Sequence, residues 1–417
     1  MTVDPGLIRA VCLFVPVFAT AGVWAWRKPA SREITAALLG CCWNLPALLL
    51  LHIAAVANGW WHYGAQGGLL LGMPVDLYFG WAIAWGAFAV LAFPRLPLPA
   101  LCLLMLAVDL LYMPRLQPVL FLDRHWLLGE ILGIAICLLP AQMLARWTRD
   151  DVHLPGRAAF QSLCFTGFLL GLLPAIVLNA TGGSWRVPNF FWLQGLALPA
   201  VLGLSAVQEF VSRGQGTPVP MDPPKRLVTS GVYSYVRNPM QIAGALLLLG
   251  WGLALQSNWI CAAGLMAIIY SAGLAARDES EDLTARFGSD WLDYSRAVRP
   301  WWPRSRPRRT SPARLYVAAR CPMCSQLGVW ITRRSPVALQ IVAAEEHPRR
   351  TLFRMTYDPQ DGTAEEDGIA ALGRALEHIH LGWALVGWTI RIPLMKHFIQ
   401  MTADAVGAAP AALHQPR

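Results

Sequence analysis

Two polar segments in the second half of the chain combine residue types and spacings that could carry chemistry. The first, Gly231-Val-Tyr-Ser-Tyr-Val-Arg-Asn-Pro239, leads directly into an apolar run. Proline suits the first turn of a helix, because its missing N–H would be unpaired there in any case. The other N–H groups of that turn attract an anionic group such as a carboxylate. This segment therefore predicts an anion-binding site at the start of a helix, with Arg237 beside it.

The second segment begins at Arg277 and is rich in acidic residues. Glu279, Leu283 and Phe287 are spaced four residues apart, so they share one face of a predicted helix. Leu283 and Phe287 would pack against neighbouring helices and hold Glu279 over a pocket. Glu281 is the nearest candidate for a general base, and its other interpretation is an ion pair with Arg277 across one helical turn.

The two segments together resemble the isoprenylcysteine carboxyl methyltransferase and phospholipid methyltransferase group. That group carries a G-x-Y-x-x-x-R-[HN]-P block and an E-E-x-x-L…F-G-x-x-Y-x-x-Y…R-x-x-P block on either side of a helical hairpin. The resemblance implies an enzyme, a membrane methyltransferase that depends on S-adenosyl-L-methionine. The chain departs from the prenylcysteine enzymes at Asn238, Gln241, Ser280 and Trp291, where their blocks have His, Tyr, Glu and Tyr. The identity of the methyl acceptor is therefore not implied.

The resemblance also implies roles for individual residues. For cofactor binding it implies Tyr233, Arg237, Asn238, Pro239, Glu279 and Tyr294. The candidate catalytic residues are Arg237, Glu279, Glu281 and Arg299. Methyl transfer from a sulfonium is an in-line displacement, in which alignment of the reacting atoms contributes most of the catalysis. A carboxylate acceptor needs only a cation such as Arg237 or Arg299 to orient it, whereas an amine or hydroxyl acceptor needs a base such as Glu281.

The composition is that of an integral membrane protein. Of the 417 residues, 55% are hydrophobic and 14% are charged, whereas a soluble domain has roughly 25% charged residues. The net charge of +9 is concentrated in short loops and after residue 296 rather than on one face. This distribution argues against nucleic-acid binding. We expect the partner to be a membrane lipid or a lipidated substrate.

Apolar stretches of about 20 residues with at most one charge predict membrane spans. Nine such stretches lie at residues 7–26, 36–58, 68–93, 97–114, 126–145, 158–180, 190–212, 239–257 and 258–276. The loops on one side contain eleven Lys and Arg residues and those on the other side four. This bias predicts an outside N-terminus and a cytosolic C-terminal domain, in a bacterial-type inner (plasma) membrane. The last two spans then form a hairpin that brings both polar segments to the same cytosolic surface.

The N-terminal module, residues 1–150, contains about five predicted helices and has no readable function. Asp76, Asp109 and Glu130 lie inside its apolar runs, where charged groups are costly and usually face a cavity or a partner. They have two interpretations. They line a lipid or substrate route, or each of them sits near the end of a span or pairs with Arg115 or Arg124.

A C-terminal α/β domain is predicted at 314–417. Cys321-Pro-Met-Cys324 follows a predicted strand and opens a predicted helix, whose N–H groups would stabilise a thiolate. The domain resembles the DCC family of thiol-disulfide oxidoreductase-like proteins, which implies a thioredoxin-like fold, a redox role for Cys321 and Cys324, and a redox partner. A packed, inactive remnant is the other interpretation. No metal site is predicted, since a zinc site would need two further ligands at metal spacing.

The predicted fold class is thus an all-α polytopic membrane protein of about nine transmembrane helices with a C-terminal thioredoxin-like domain. Residues 151–303 form the predicted methyltransferase module, and the Pro/Arg-rich stretch 304–313 is a basic linker that would make the C-terminal domain separable. Two other functions stay open. One is a membrane thiol-disulfide redox protein that uses Cys321 and Cys324, and the other is a non-catalytic lipid-binding scaffold. The oligomeric state is not predicted.

Overall fold

Apolar helices dominate the structure. The computed structural model describes residues 4–186, 188–348 and 350–408. Within these ranges seven helices are long and apolar enough to cross a membrane, or eight if one bent pair forms a single span. The seven are α1 (Pro5–Arg27), α2 (Ser31–Asn58), α3 (Val75–Ala92), α4 (Leu98–Arg115), α5 (Trp126–Asp150), α6 (Leu154–Thr181) and α7 (Phe190–Gly214).

The predicted count of nine spans is not confirmed, because the last two helices are short. Helix α8 (Pro239–Ala254) has 16 residues and α9 (Asn258–Tyr270) has 13, whereas a helical span needs about 20 residues. Helix α10 (Ala276–Ala297) follows α9 after a π turn and a bend of 42°. Hydropathy alone merges such short helices with their flanking residues into apparent spans.

The chain divides into two compact units. The first comprises the described residues of Met1–Val187, Gly216–Pro223 and Leu255–Ile260. In it, α2 packs against α3, α5 and α6, and short strands cap the helices. These strands are β1 (Trp61–Tyr63), β2 (Leu69–Leu70), β3 (Met73–Pro74) and β4 (Leu120–Leu122), with β1 paired to β4 and β2 to β3.

The predicted intramembrane acids of the first unit have different surroundings. Asp76 pairs with Arg9, whose Nε lies 2.6 Å from its Oδ2. Asp109 and Glu130 are buried, and one carboxylate oxygen of each has no hydrogen-bond partner among the described residues. The structure therefore pairs Asp76 with a different arginine from the predicted ones.

The second unit comprises the described residues of Pro188–Gln215, Pro224–Ala254 and Cys261–Arg417. Helices α7 and α8 pack closely in it, and a Cβ added at Gly203 would lie 3.1 Å from the Ala243 methyl group. A buried aromatic cluster lies between the end of α7, α10 and the C-terminal helices. Its largest members are Tyr233, Tyr235, Trp291, Tyr294 and Trp388.

The C-terminal part of the second unit contains a four-stranded sheet. Its strands are β5 (Ala313–Val317), β6 (Leu339–Ala343), β7 (Thr356–Asp358) and β8 (Glu366–Asp367), in the order β6-β5-β7-β8. Strands β5 and β6 are parallel, whereas β7 is antiparallel to both β5 and β8. Its helices are α11 (Pro322–Thr332), α12 (Ile369–Leu376), α13 (Leu381–Arg391) and α14 (Pro393–Ala403). Three of these helices, α12 to α14, follow the last strand.

The predicted linker 304–313 makes specific contacts within the second unit. The backbone N–H of Arg304 donates to the carbonyl oxygen of Tyr235 at 2.9 Å, and that of Arg308 donates to Ser234 at 2.8 Å. Residues 304–308 are therefore held against Ser234 and Tyr235 of the first motif segment. This gives a structural reason to expect that the C-terminal domain is not freely separable.

Candidate functional site

Backbone pairing brings the two motif segments together. The N–H of Arg237 donates to the carbonyl oxygen of Arg299 at 3.0 Å, and the N–H of Asn238 donates to that of Pro300 at 3.2 Å. Both bonds lie directly before Pro239, where α8 begins. The predicted meeting of the two segments is thus confirmed.

Aromatic side chains fix the turn that precedes Arg237. A 3₁₀ turn, Gly231–Ser234, carries Tyr233, whose ring stacks on Phe210 with centroids 5.2 Å apart. The buried Tyr294 hydroxyl donates to the carbonyl oxygen of Tyr233 at 2.9 Å. Tyr294 therefore supports the backbone of the turn, which is a positioning role.

The side chain of Arg237 is held in place from the second segment. Its guanidinium lies over Trp291, 5.3 Å from the ring centroid, and its Nη1 donates to the carbonyl oxygen of Ser295 at 3.0 Å. Cation–π contacts contribute about 0.5–1 kcal/mol at exposed sites and more when desolvated. Trp291, a departure from the family block, therefore helps to keep a positive charge beside the start of α8.

Polar atoms without protein partners lie near the start of α8. Tyr233 Oη and Gln241 Oε1 are buried and have no hydrogen-bond partner among the residues that the structure describes. Gln241 Nε2 donates to Glu279 Oε2 at 3.3 Å. A buried polar group left without a partner costs roughly 1–3 kcal/mol. These atoms therefore fit a site whose remaining hydrogen bonds come from a polar ligand.

Helix α10 places Glu279 opposite Gln241. Leu283 and Phe287, on the same helix face, pack against the aromatic cluster of the second unit, as their spacing predicts. Gly288 interrupts the helix with φ 55° and ψ −128°, a conformation that is essentially restricted to glycine. The helical segment that presents Glu279 therefore ends at a defined position.

The side chains of two predicted site residues make no polar contact with the other described residues of the candidate site. Glu281 and Arg299 are exposed, and neither side chain makes a hydrogen bond or ion pair within the described part of the chain. The alternative pair of Glu281 with Arg277 is likewise not formed there. Arg299 contributes its carbonyl oxygen to the turn, and its side chain faces solvent.

Sequence reasoning missed Glu209, a residue of α7. It is only 1% exposed, and it accepts a hydrogen bond from Ser230 Oγ at 2.8 Å. Its Oε1 lies 2.6 Å from Arg374 Nη1 and 3.2 Å from Arg391 Nη1. The only sequence signal for it is a lone carboxylate near the end of an apolar run, which does not reveal such distant partners.

Glu209 belongs to a buried charge cluster, which we define as Glu209, Glu366, Glu377, Arg374 and Arg391. Arg374 Nε lies 2.7 Å from Glu366 Oε1, and Arg391 Nη1 lies 2.6 Å from Glu377 Oε1. Burial alone would raise the pKa of Glu366, but Arg374 and Arg391 outweigh it and lower that pKa below its usual value. The cluster is therefore an ionised network inside the second unit.

The charge cluster packs directly against the turn that carries Tyr233. Gly231 has φ 56°, and a Cβ added there would lie 2.5 Å from the Glu209 carboxyl carbon. Only glycine allows this approach, because a side chain would be both strained and in collision. The charge cluster thus supports the first motif segment through the contacts of Glu209 with Ser230 and Gly231.

The cysteine pair occupies the start of α11, as predicted. Cys321 caps the helix, and its Sγ accepts a hydrogen bond from the Cys324 N–H at 3.3 Å. The hydrogen bond from the Cys324 side chain, with backbone N–H groups, lowers the pKa of Cys321. Burial and the neighbouring Cys321 raise the pKa of Cys324 to about 12. In the described residues, no group of three or more His, Cys, Asp and Glu side chains is arranged to hold a metal ion.

One protein-family model matches the segment that contains the first motif. Residues 197–288 match the family model of the phospholipid methyltransferases. The matched segment runs from within α7 to Gly288, so it supports a membrane methyltransferase and contains both Glu209 and Glu279. Tyr294, Arg299 and the cysteine pair lie beyond it. No curated protein and no solved structure matches the chain.

Proposed function

We propose that the second unit transfers a methyl group from S-adenosyl-L-methionine to a lipid or lipid-anchored acceptor. The observation that carries this proposal is the backbone pairing of Arg237 with Arg299 and of Asn238 with Pro300. That pairing joins the two motif segments next to the partnerless Tyr233 and Gln241 atoms, in and beside the segment that matches the methyltransferase family.

The residues present fit the proposed cofactor, which carries carboxylate, ammonium and hydroxyl groups. The N–H groups at the start of α8 and the nearby Arg237 suit its carboxylate. Glu279 suits its ammonium group, and Tyr233 Oη suits a hydroxyl. When bound, S-adenosylmethionine supplies an electrophilic methyl group, and the protein's task is to align an acceptor with it.

Two exposed residues, Glu281 and Arg299, would contact the methyl acceptor in the proposed site. Arg237, held by Ser295 and Trp291, is assigned to the cofactor's carboxylate, so Arg299 is the cation left to orient a carboxylate acceptor. An amine or hydroxyl acceptor would give its proton to Glu281. The site lies where the apolar helix α8 begins, so a water-soluble cofactor and a bilayer-dissolved acceptor can reach it from opposite sides. The predicted cytosolic orientation of this surface belongs to the same proposal.

The substitution Glu279→Gln is expected to weaken binding of S-adenosylhomocysteine about 10- to 100-fold, because a hydrogen bond to a charged group contributes roughly 1.5–3 kcal/mol. The measurement is calorimetric titration of the purified protein in detergent. Asp278→Asn, a neighbouring exposed carboxylate, is the matched control and should bind as the parent does. Equal affinity in Glu279→Gln and the parent would contradict the site. A parent that binds no S-adenosylhomocysteine would instead favour the lipid-binding scaffold.

We also propose that the C-terminal domain is a thioredoxin-like accessory domain with a redox-active cysteine pair. The β6-β5-β7-β8 order, with a parallel pair joined through α11, supports the fold. The opposite pKa shifts of Cys321 and Cys324 support the activity, since an exposed thiolate next to a protonated thiol is typical of reactive pairs.

The proposed redox pair predicts that the two cysteines react with an alkylating reagent in different pH ranges. Alkylation of Cys321 should follow a pKa below the usual cysteine value, because its thiolate is stabilised, while Cys324 should react only as the pH approaches about 12. Cys324→Ala removes the side-chain donor and should shift the Cys321 profile to higher pH, whereas Cys324→Ser retains a donor and should shift it less. Mass spectrometry of alkylated peptides gives the readout. An unchanged Cys321 profile in Cys324→Ala would count against the pairing.

A further inference from the structure

Helix α14 presents an unusually exposed apolar face. Leu394, Phe398 and Met401 are 84%, 68% and 72% exposed. Their spacing of four and three residues places all three on one side of the helix. A contiguous apolar patch of this kind on a protein surface marks an interaction site.

The opposite side of α14 is fixed to the domain, so the apolar face cannot turn inward. Gln400 Oε1 accepts from the N–H of Ile369 at 2.8 Å, and Gln400 Nε2 donates to Asp404 Oδ1 at 2.8 Å. Asp404 in turn pairs with Arg354, whose Nη2 lies 2.8 Å from its Oδ2. The amphipathic helix is thus anchored by its polar side, and none of the residues that the structure describes covers its apolar side.

Helix α14 begins beside the end of a membrane-spanning helix. Arg391, the last residue of α13, accepts a hydrogen bond at its carbonyl oxygen from Gln208 Nε2 at 3.3 Å. Its guanidinium reaches Glu209 at 3.2 Å, and α14 starts two residues later at Pro393. Gln208 and Glu209 belong to α7, one of the candidate spans.

An open cavity lies between α14 and α7, which shows that the two helices are neighbours. It is lined from both helices as well as from the sheet side of the domain. The α7 and α14 residues that line it are Gln208, Ser212, Arg213, Lys396, His397 and Gln400. Its lining is polar, in contrast to the apolar face of α14, so the two sides of the helix meet different environments.

We propose that α14 is an interfacial helix whose apolar face inserts into the same phospholipid bilayer that α7 crosses. Its 11 residues span about 16 Å at 1.5 Å per residue, about half of the roughly 30 Å hydrocarbon core, so it lies in the interface and does not cross. A polar face with Lys396 and Gln400 opposite large apolar side chains is the pattern of such helices. The bilayer is favoured over a second protein because the helix is tied to the polar end of a span.

The test uses the full chain in nanodiscs of phosphatidylcholine and phosphatidylglycerol. Phe398 is replaced by the photocrosslinker p-benzoylphenylalanine, and in a matched variant Phe353, a 55% exposed phenylalanine of the same domain, is replaced instead. Both side chains are exposed, so neither replacement disturbs packing. Mass spectrometry then identifies the adducts after irradiation, without reference to methyl transfer.

The interfacial helix predicts phospholipid adducts at position 398, in several-fold higher yield than at position 353. Adducts between two copies of the chain at position 398 would assign the face to a protein interface and overturn the proposal. Equal lipid labelling at the two positions, or no lipid adduct at 398, would also overturn it.

Discussion

Replacing Arg374 with methionine is expected to destabilise the folded protein by about 3–5 kcal/mol, the usual cost of removing one partner from a buried ion pair. Arg374 is 1% exposed and contacts three carboxylates, those of Glu209, Glu366 and Glu377. Without it, the three carboxylates keep Arg391, while Arg213 still pairs with Glu366 and Arg309 with Glu377. The check is a thermal unfolding transition in detergent, which should move to lower temperature by several degrees.

Two further variants separate the charge effect from other causes. Arg333→Met removes an exposed arginine from the same domain and should change stability by less than about 0.5 kcal/mol. Glu209→Gln combined with Arg374→Met removes a stranded carboxylate and should recover part of the lost stability. If Arg374→Met unfolds at the same temperature as the parent, the charge cluster does not stabilise the second unit.

Truncation after Arg309 is expected to abolish cofactor binding, contrary to what the linker-like sequence of 304–313 predicts. The cut removes Arg374 and Arg391, the two arginines that form ion pairs with Glu209. It also uncovers Tyr235, whose hydroxyl donates to the carbonyl oxygen of Glu377 at 2.9 Å and whose ring packs edge-on against Trp388. The turn that carries Tyr233 keeps its contacts with Phe210 and Tyr294 but loses the support that the C-terminal domain gives it.

The truncated protein should be compared with the full chain in two measurements, monodispersity in detergent and affinity for S-adenosylhomocysteine. Glu209→Gln in the truncated background should restore part of the monodisperse fraction, because it removes the uncompensated charge. Full affinity and normal stability in the truncated protein would instead mean that the C-terminal domain is an independent attachment.

Sequence reasoning found what local patterns encode. Hydropathy located α1 to α7, because each has an apolar run long enough for a membrane. The order of polar segment, apolar hairpin and polar segment predicted that the two motif segments meet, because the hairpin returns the chain to its starting surface, and the backbone bonds of Arg237 and Asn238 show that they do. The strand-cysteine-helix order placed Cys321 at a helix start, which its cap hydrogen bond confirms.

The remaining features depend on contacts between distant residues. Glu209 and Arg391 are 182 positions apart, and neither has a periodicity or a spacing that points to the other. The short lengths of α8 and α9 were hidden because apolar loop residues extend their hydropathy. The amphipathic face of α14 was overlooked because Leu394, Phe398 and Met401 look like core residues until their exposure is known.

The charge cluster also sets an order of events during biosynthesis. Arg391 leaves the ribosome 182 residues after Glu209, a delay of about 10–35 s at ordinary translation rates of 5–20 residues per second. Until Arg374 is synthesised, late in that interval, the carboxylate of Glu209 has no cation from the later domain, so we expect the end of α7 to stay hydrated while the helices insert. Completion of the last helices then expels that water and locks the methyltransferase segment. Nascent chains stalled before Arg374 should therefore be membrane-inserted yet unable to retain cofactor.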